Sequence, residues 1–381
     1  MSKVEELLAK YNSNGISTIK LADILDYEQP SKYIVSSSEY DDNYDIPVLT
    51  AGQSFILGYT DEKDGVYKAS KNNPTIIFDD FTTGHHWVDF DFKIKSSAMK
   101  MLRLKNNKSL LRYIFHSMAL INYVPTEHSR QWISKYSQFV IPLPHIKVQE
   151  EIVNILDSFT NLIDALNEEL SLRQKQFEYY REKLLTFDDK SVYTTLGKVG
   201  EFTRGNGLQK KDFTESGFPC IHYGQIHTSY NTSAYSTISY CSKSLAKKLK
   251  KAKYGDLLIA TTSEDVDACC KAIAWLGEGE VAYSGDSYCF SHNENPKYMA
   301  YLFQCNMFYN QKKTSATGAK VIRVSGDSMS QFILPIPSLA VQQSIVEKLD
   351  AFESLISSLK EEIALRQKQY EYYREKLLTF D

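Results

Sequence analysis

The sequence predicts an α+β protein: two globular α/β domains joined by two long antiparallel coiled-coil helices, arranged as a quasi-two-fold cyclic repeat. Three observations predict this. A seventeen-residue stretch occurs twice, as LRQKQFEYYREKLLTFD from Leu172 and LRQKQYEYYREKLLTFD from Leu365, differing only at Phe177 and Tyr370. Each copy lies in a tract free of proline and glycine, with apolar residues at heptad spacing. The two tracts alternate with two diverged blocks of short apolar runs and turn residues, which read as mixed α and β structure.

The chain divides accordingly. Residues 1–16 are an N-terminal segment that completes the repeat, because VEELLAKYNSNGISTIKLADI at the start resembles YREKLLTFDDKSVYTTLGKV at Tyr180–Val199. The segment can pack where the last helix ends and close a quasi-two-fold molecule. Residues 17–145 form the first domain, 146–188 the first spacer helix, 189–338 the second domain and 339–381 the second spacer helix.

The helix prediction rests on spacing. Ile152, Leu156, Phe159, Ile163, Leu166, Leu170, Arg173, Phe177, Tyr180 and Leu184 alternate steps of four and three, and Ile345 to Leu377 repeat them 193 residues later. Some 39 residues per helix give about 58 Å at 1.5 Å per residue. Pro142 and Pro144, and Pro335 and Pro337, precede the helices and impose an extended approach. A seam this regular needs a partner helix, and the other copy supplies one; the intervening domain makes the antiparallel sense the natural return. Arg173 and Arg366 fall on the seam, where they either pair with Glu169 and Glu362 four residues earlier or fix register. Within the domains, short helices are expected near Ser109–Ile121 and Pro296–Asn310.

Local charge carries the functional signal. The chain has a net charge of −3, yet seven lysines and arginines lie between Lys93 and Arg112 without an acid, and six lysines fill Lys243–Lys253. Such runs are commonly solvated faces. Beside them, however, stand TTGHHW at Thr82–Trp87, TRGNGLQKKD at Thr203–Asp212 and IHYGQIHTSY at Ile221–Tyr230. Gly205 and Gly207 would let backbone approach a phosphate while Arg204, Lys210 and Lys211 supply charge. Gln53, His222, Tyr223 and Gln225 are residue types that read base edges. Thr82, Thr83, His85, His86, Lys93, Lys100, Asn206, Thr262 and Lys320 complete the candidate DNA-contacting set. For His85 and His86 the competing reading is a capped turn or a core contact; no third ligand at metal spacing lies nearby.

Other classes are disfavoured. No GxxxxGK[ST] loop, no glycine-rich cofactor loop paired with a polar-Pro-Pro-aromatic motif, and no carboxylate and lysine cluster of a nuclease is present, so no autonomous catalysis, bound cofactor or metal is expected. Six cysteines between Cys220 and Cys305, without CxxC pairs, suggest reduced buried thiols. With no apolar run of membrane-spanning length and no signal-peptide pattern, a cytoplasmic location without membrane contact is expected.

The whole chain resembles the specificity subunit of type I restriction-modification systems. The resemblance is carried by FDDFTTGHHWVDFDFKIKSSAMKML from Phe78, RGNGLQKKDF, PCIHYGQIHTSY, TGAKVIRVSGDSM, the PxP-x4-Q pattern at Pro142/Pro144/Gln149 and Pro335/Pro337/Gln342, and RQKQxEYYREKLL. It implies that each domain is a target-recognition domain reading half of a bipartite, asymmetric double-stranded DNA site, while the helices set the gap. It also implies docking of two methyltransferase subunits through the repeated helix segments, where Arg173, Phe177, Tyr180, Arg181, Arg366, Tyr370, Tyr373 and Arg374 are the candidates. Motor-nuclease restriction subunits would join that core, and S-adenosylmethionine, ATP and Mg2+ would act on the partners. The alternative is a coiled-coil protein-interaction scaffold that binds no DNA.

Overall fold

A computed structural model describes residues 2–51, 55–318 and 320–380, which fall into two units: 1–167 with 361–381, and 168–360. Two long helices, Ile146–Leu184 and Leu339–Leu378, each contribute to both units.

In the first unit, an antiparallel sheet has the order Leu25–Glu28, Met99–Leu104, Thr75–Asp79, His85–Val88. A smaller sheet joins Ile56–Thr60, Ile46–Leu49 and Lys93–Ile94. Thr75–Phe78 is buried at every position, as expected of a strand covered on both faces. Ser17–Lys20 pairs antiparallel with Val140–Leu143, the extended approach that the prolines impose. The N-terminal helix Lys3–Tyr11 buries Val4 in the same core as Leu378 near the end of the second long helix.

The second unit holds two five-stranded sheets. One is ordered Gly200–Arg204, Ser287–His292, Leu257–Ala260, Lys271–Trp275, Ser233–Ala234; the other Phe213–Thr214, Ser239–Cys241, Phe218–Ile221, Val281–Tyr283, Lys251–Ala252. Tyr193–Thr195 pairs with Ile333–Pro335, the counterpart of the strand pair in the first unit. The helix expected over Pro296–Asn310 is two helices, Pro296–Leu302 and Asn306–Ser315, because Cys305 adopts an extended conformation between them. All six cysteines are buried free thiols.

Each domain is fixed to a long helix by one set of polar contacts, used twice. In the first unit Gln149, fully buried, accepts from Leu110 N–H at 3.1 Å and donates to Pro144 O at 2.8 Å. Tyr113 donates to Pro142 O at 3.0 Å, while Asp157 accepts from Arg112 at 2.7 Å and from His116 Nε2 at 2.9 Å. In the second unit Gln342 accepts from Asn295 N–H at 2.9 Å and donates to Pro337 O at 2.8 Å. Tyr298 donates to Pro335 O at 3.0 Å, and Asp350 accepts from Lys297 and from Tyr301, both at 2.8 Å. The recurring PxP-x4-Q pattern is thus a joint, in which a buried glutamine satisfies backbone groups that would otherwise be orphaned.

The joint also accounts for the single difference between the two copies of the seventeen-residue stretch. In the first unit His116 uses Nε2 on Asp157, so its Nδ1 is left as an acceptor, and Tyr370 Oη fills it at 3.1 Å. In the second unit the equivalent residue is Tyr301, whose one hydroxyl goes to Asp350. Its ring meets that of Phe177 edge-on at 6.3 Å and offers no ring nitrogen, so phenylalanine suffices there.

The seam is formed within each unit. Phe159 stacks on Tyr373 at 5.3 Å in the first, and the equivalent pair Phe352 and Tyr180 stacks at 5.5 Å in the second. The start of one long helix therefore lies beside the end of the other, the antiparallel sense. Arg173 pairs with Glu169 at 3.2 Å and Arg366 with Glu362 at 2.7 Å along their own helices.

Candidate nucleic-acid interface

The exposed basic surface of the second unit is built from two segments. In Lys243–Lys253, Ala246 and Leu249 turn inward and share a small core with Leu208, leaving Lys247, Lys248 and Lys250 exposed. Asn206 ties this segment to the loop after Arg204: its Nδ2 donates to Lys248 O at 2.9 Å and its Oδ1 accepts from Lys250 N–H at 2.8 Å. Lys210 and Lys211, on the other side of Leu208, are also exposed. Across residues 204–212 and 243–253, nine lysines and arginines face one acid, Asp212. Lys251 alone among them is ion-paired among the described residues, 3.5 Å from Glu280.

The remaining candidates of this unit are partly absorbed by the fold. Arg204 is exposed and donates through Nε to Gly285 O at 3.0 Å. His222 is buried and caps a short helix by accepting from Gly224 N–H at 3.2 Å; burial first, then the neighbouring Lys210 charge, lowers its pKa. Gln225 accepts from His222 N–H at 2.9 Å and donates to Ser239 at 2.7 Å, so its amide serves the cap. Tyr223 is half-buried with its ring 4.4 Å from that of His222. Thr262 is buried, facing Asp286 at 3.4 Å, on a strand paired with Ile322–Arg323, and Lys320 is exposed on the turn before that strand. Gly205 is a correction: a Cβ there would come within 2.1 Å of Ser284 O, so the glycine admits protein backbone rather than phosphate.

In the first unit the basic run is largely internal. Lys93 is buried, 2.9 Å from Glu62 and donating to Asp64 O at 2.6 Å; Lys100 is buried 3.1 Å from Asp80 and over the Tyr27 ring. Both lysines therefore belong to the core rather than to an exposed surface, since a buried ammonium persists only with such partners. Arg103 lies over Tyr67 and Arg112 holds Asp157, leaving Lys95, Lys105 and Lys108 as the exposed members, of which Lys105 donates to Ala22 O. Sequence alone does not separate these cases, because both runs are basic, free of acids and interleaved with apolar residues, while the acids that hold Lys93 and Lys100 inside, Glu62 and Asp80, lie elsewhere in the chain.

The turn Asp79–Gly84 exposes Thr82, buries Thr83 and leads into the two histidines at the head of the strand His85–Val88. Asp79 accepts from Phe81 and Thr82 N–H groups, both at 2.8 Å, and Thr83 sits at φ 62°, a left-handed conformation unusual for a β-branched residue. Thr82 accepts from Gly84 N–H at 3.3 Å. His85 packs edge-on against Phe115, and burial pushes its pKa down to about 4, so it is neutral at physiological pH. His86 stacks on Phe55 at 4.7 Å. Gln53 lies outside the described residues.

On the long helices, Phe177, Tyr180, Tyr370 and Tyr373 make the internal contacts given above, Arg181 pairs with Glu182 at 3.2 Å, and Arg374 lies over the Tyr370 ring. Among the repeated apolar residues, Leu172 and Leu365 are 59% and 58% exposed, Tyr179 and Tyr372 are 60% and 58%, and Tyr373, besides its contact with Phe159, is 38% exposed. Heptad reading identifies the seam but passes over these outward positions, one pair on each helix.

Among the described residues, no cluster of three or more His, Cys, Asp or Glu is placed to hold a metal ion, and no helix is long and apolar enough to cross a membrane.

Two diverged modules, each locked by the same polar joint to a long helix that ends in the same repeated stretch, define a two-module recognition protein. The chain belongs to the type I restriction modification DNA specificity family, whose model matches residues 14–172 and 189–365. It is 39% identical over 405 aligned residues to the EcoR124I/EcoR124II type I restriction enzyme specificity subunit of Escherichia coli, covering 100% of this chain and 97% of that protein. It is 30% identical to a putative type I restriction enzyme specificity subunit of Haemophilus influenzae, covering 86% of each. A type I restriction-modification S subunit from M. genitalium shares the fold, with TM-score 0.58 at 15% identity over 96% of this chain and 97% of that one. The protein is thus a type I specificity subunit and recognises DNA; such subunits are the non-catalytic members of their systems.

Proposed function

We propose that the chain reads a bipartite, asymmetric DNA site, one half through each domain, and that the long helices set the gap between the halves. The observation that carries this is the twice-used joint: two domains that differ in sequence are attached by equivalent atoms to helices that share the joint's glutamine and aspartate. Such an arrangement keeps position constant while the reading surface varies, which suits two unlike half-sites. Lys247, Lys248, Lys250, Lys210 and Lys211 supply phosphate contacts that orient the second domain, and neighbouring loop groups read bases.

The outward pair Leu172 and Tyr179 docks one copy of a methyltransferase subunit and the pair Leu365 and Tyr372 docks another, because a repeated partner selects a repeated surface. Adenine methylation with S-adenosylmethionine, and ATP- and Mg2+-dependent translocation and cleavage, reside on methyltransferase and motor-nuclease partners in the cytoplasm, and this chain catalyses neither. The test is duplex binding by the chain with its methyltransferase: specific, salt-sensitive binding supports the reading. Assembly with the partner but failure on every duplex at all salt concentrations would leave only an interaction scaffold.

A further inference from the structure

Cys269 and Cys270 are adjacent, buried, and placed as few neighbouring residues can be. In an extended chain successive side chains point to opposite faces. Cys269 and Cys270 instead end a turn, Cys270 at φ 64° in the left-handed region, and the two Sγ atoms come to 3.8 Å. A non-glycine residue held in this conformation is uncommon and calls for a reason. The pair sits at the head of the strand Lys271–Trp275, where Cys270 N–H bonds Ala260 O at 2.8 Å. Cys269 also forms part of the wall of a cavity of about 820 Å3, with Ala268, Lys271 and Lys312. Lys312, itself buried, donates to Cys269 O at 2.8 Å and Asp267 O at 3.0 Å, placing a cation beside the thiols.

We propose that Cys269 and Cys270 form an oxidisable dithiol that peroxide converts to a vicinal disulfide. Cys269, as thiolate, attacks one peroxide oxygen; the S–O bond forms as the O–O bond breaks, and the leaving hydroxide takes a proton to become water. Cys270, giving up its proton, then attacks the Cys269 sulfur, forming S–S while the S–O bond breaks and a second water leaves. Two thiols and one hydrogen peroxide give one disulfide and two waters. The electrostatics support the division of labour: the Cys270 hydrogen bond and then the Lys312 charge hold Cys269 below the ordinary thiol range, while Cys270 is raised. The other neighbouring pair, Cys220 and Cys241, has both thiols raised by burial. Oxidation also withdraws the Cys269 hydrogen from Thr261 O, 3.4 Å away, next to the strand pair Thr262–Ser263 and Ile322–Arg323.

The test uses the reduced full-length chain, treated with equimolar hydrogen peroxide, quenched with catalase, then denatured, alkylated and mapped by mass spectrometry. The expected result is that two of the six thiols escape alkylation, both in the peptide spanning Cys269 and Cys270, which is two hydrogens lighter. Faster backbone exchange at 261–263 and 322–323 accompanies it. Cys270→Gly, which suits the left-handed backbone, should fold normally and abolish the disulfide. Retention of all six alkylatable thiols, a link between Cys220 and Cys241 instead, or Cys269 running on to sulfinic acid would each overturn the proposal.

Discussion

Tyr370→Phe installs at the end of the second long helix the residue that the first helix carries at Phe177. In the first unit it removes the hydroxyl that satisfies His116 Nδ1 at 3.1 Å, in a joint where His116 is fully buried. Losing the bond and leaving a buried acceptor unsatisfied costs about 1–2 kcal/mol. A cost of that size raises the population of opened joint roughly 5–30-fold. Amide hydrogen exchange reads it directly: protection of Leu111–Met118 should fall by that factor while Pro296–Leu302, on the other joint, stays unchanged. Adding His116→Tyr rebuilds the Tyr301 and Phe177 arrangement, since a tyrosine hydroxyl can then reach Asp157. The double variant should therefore be less destabilised than the sum of the singles, by about 0.5–3 kcal/mol. Unchanged protection in Tyr370→Phe, equal loss in both helices, or strict additivity would refute this account of the joint.

Other consequences can be measured independently. Burial lowers the pKa of His116 and takes His85 down to about 4, so the unfolded chain binds protons before the folded one does. Stability of the first unit should be full above about pH 6.5 and decline as pH falls toward 4, and His85→Gln should flatten the decline followed by exchange. Charge reversal of Lys247, Lys248 and Lys250 should weaken binding to every duplex alike and reduce the log–log salt slope by up to about 2.7, at roughly 0.9 per phosphate contact; a loss confined to one sequence would assign these lysines to base readout instead. Replacing Tyr179 and Tyr372 with Glu should abolish assembly with the methyltransferase in sedimentation experiments, yet shift the chain's own stability by no more than about 0.5 kcal/mol, because both side chains are exposed.

The long-range plan was legible in the sequence because it is written as periodicity and repetition. Heptad spacing located helices that run from Ile146 to Leu184 and from Leu339 to Leu378, and the prolines marked the extended approach that the strand pairs confirm. The site was less legible. Lys93 and Lys247 look alike in a charge count, but one is held by Glu62 inside the core and the other stands free of ion pairs among the described residues. His222 and Gln225 have the chemistry of base readers, yet each completes the other's helix cap, a use that depends on a three-residue spacing available to many loops. The Phe177 and Tyr370 difference did belong to packing, as the seam position suggested. Its cause is a histidine on one docking helix and a tyrosine on the other, far away in sequence.

The central claim, that each domain independently addresses half of one DNA site, is tested most directly by exchanging residues 192–333 for the equivalent block of another specificity subunit and sequencing the host methylome with the methyltransferase present. The account predicts that one half-site changes while the other half and the gap are retained. A methylome in which both halves change together, or in which neither does, would contradict it.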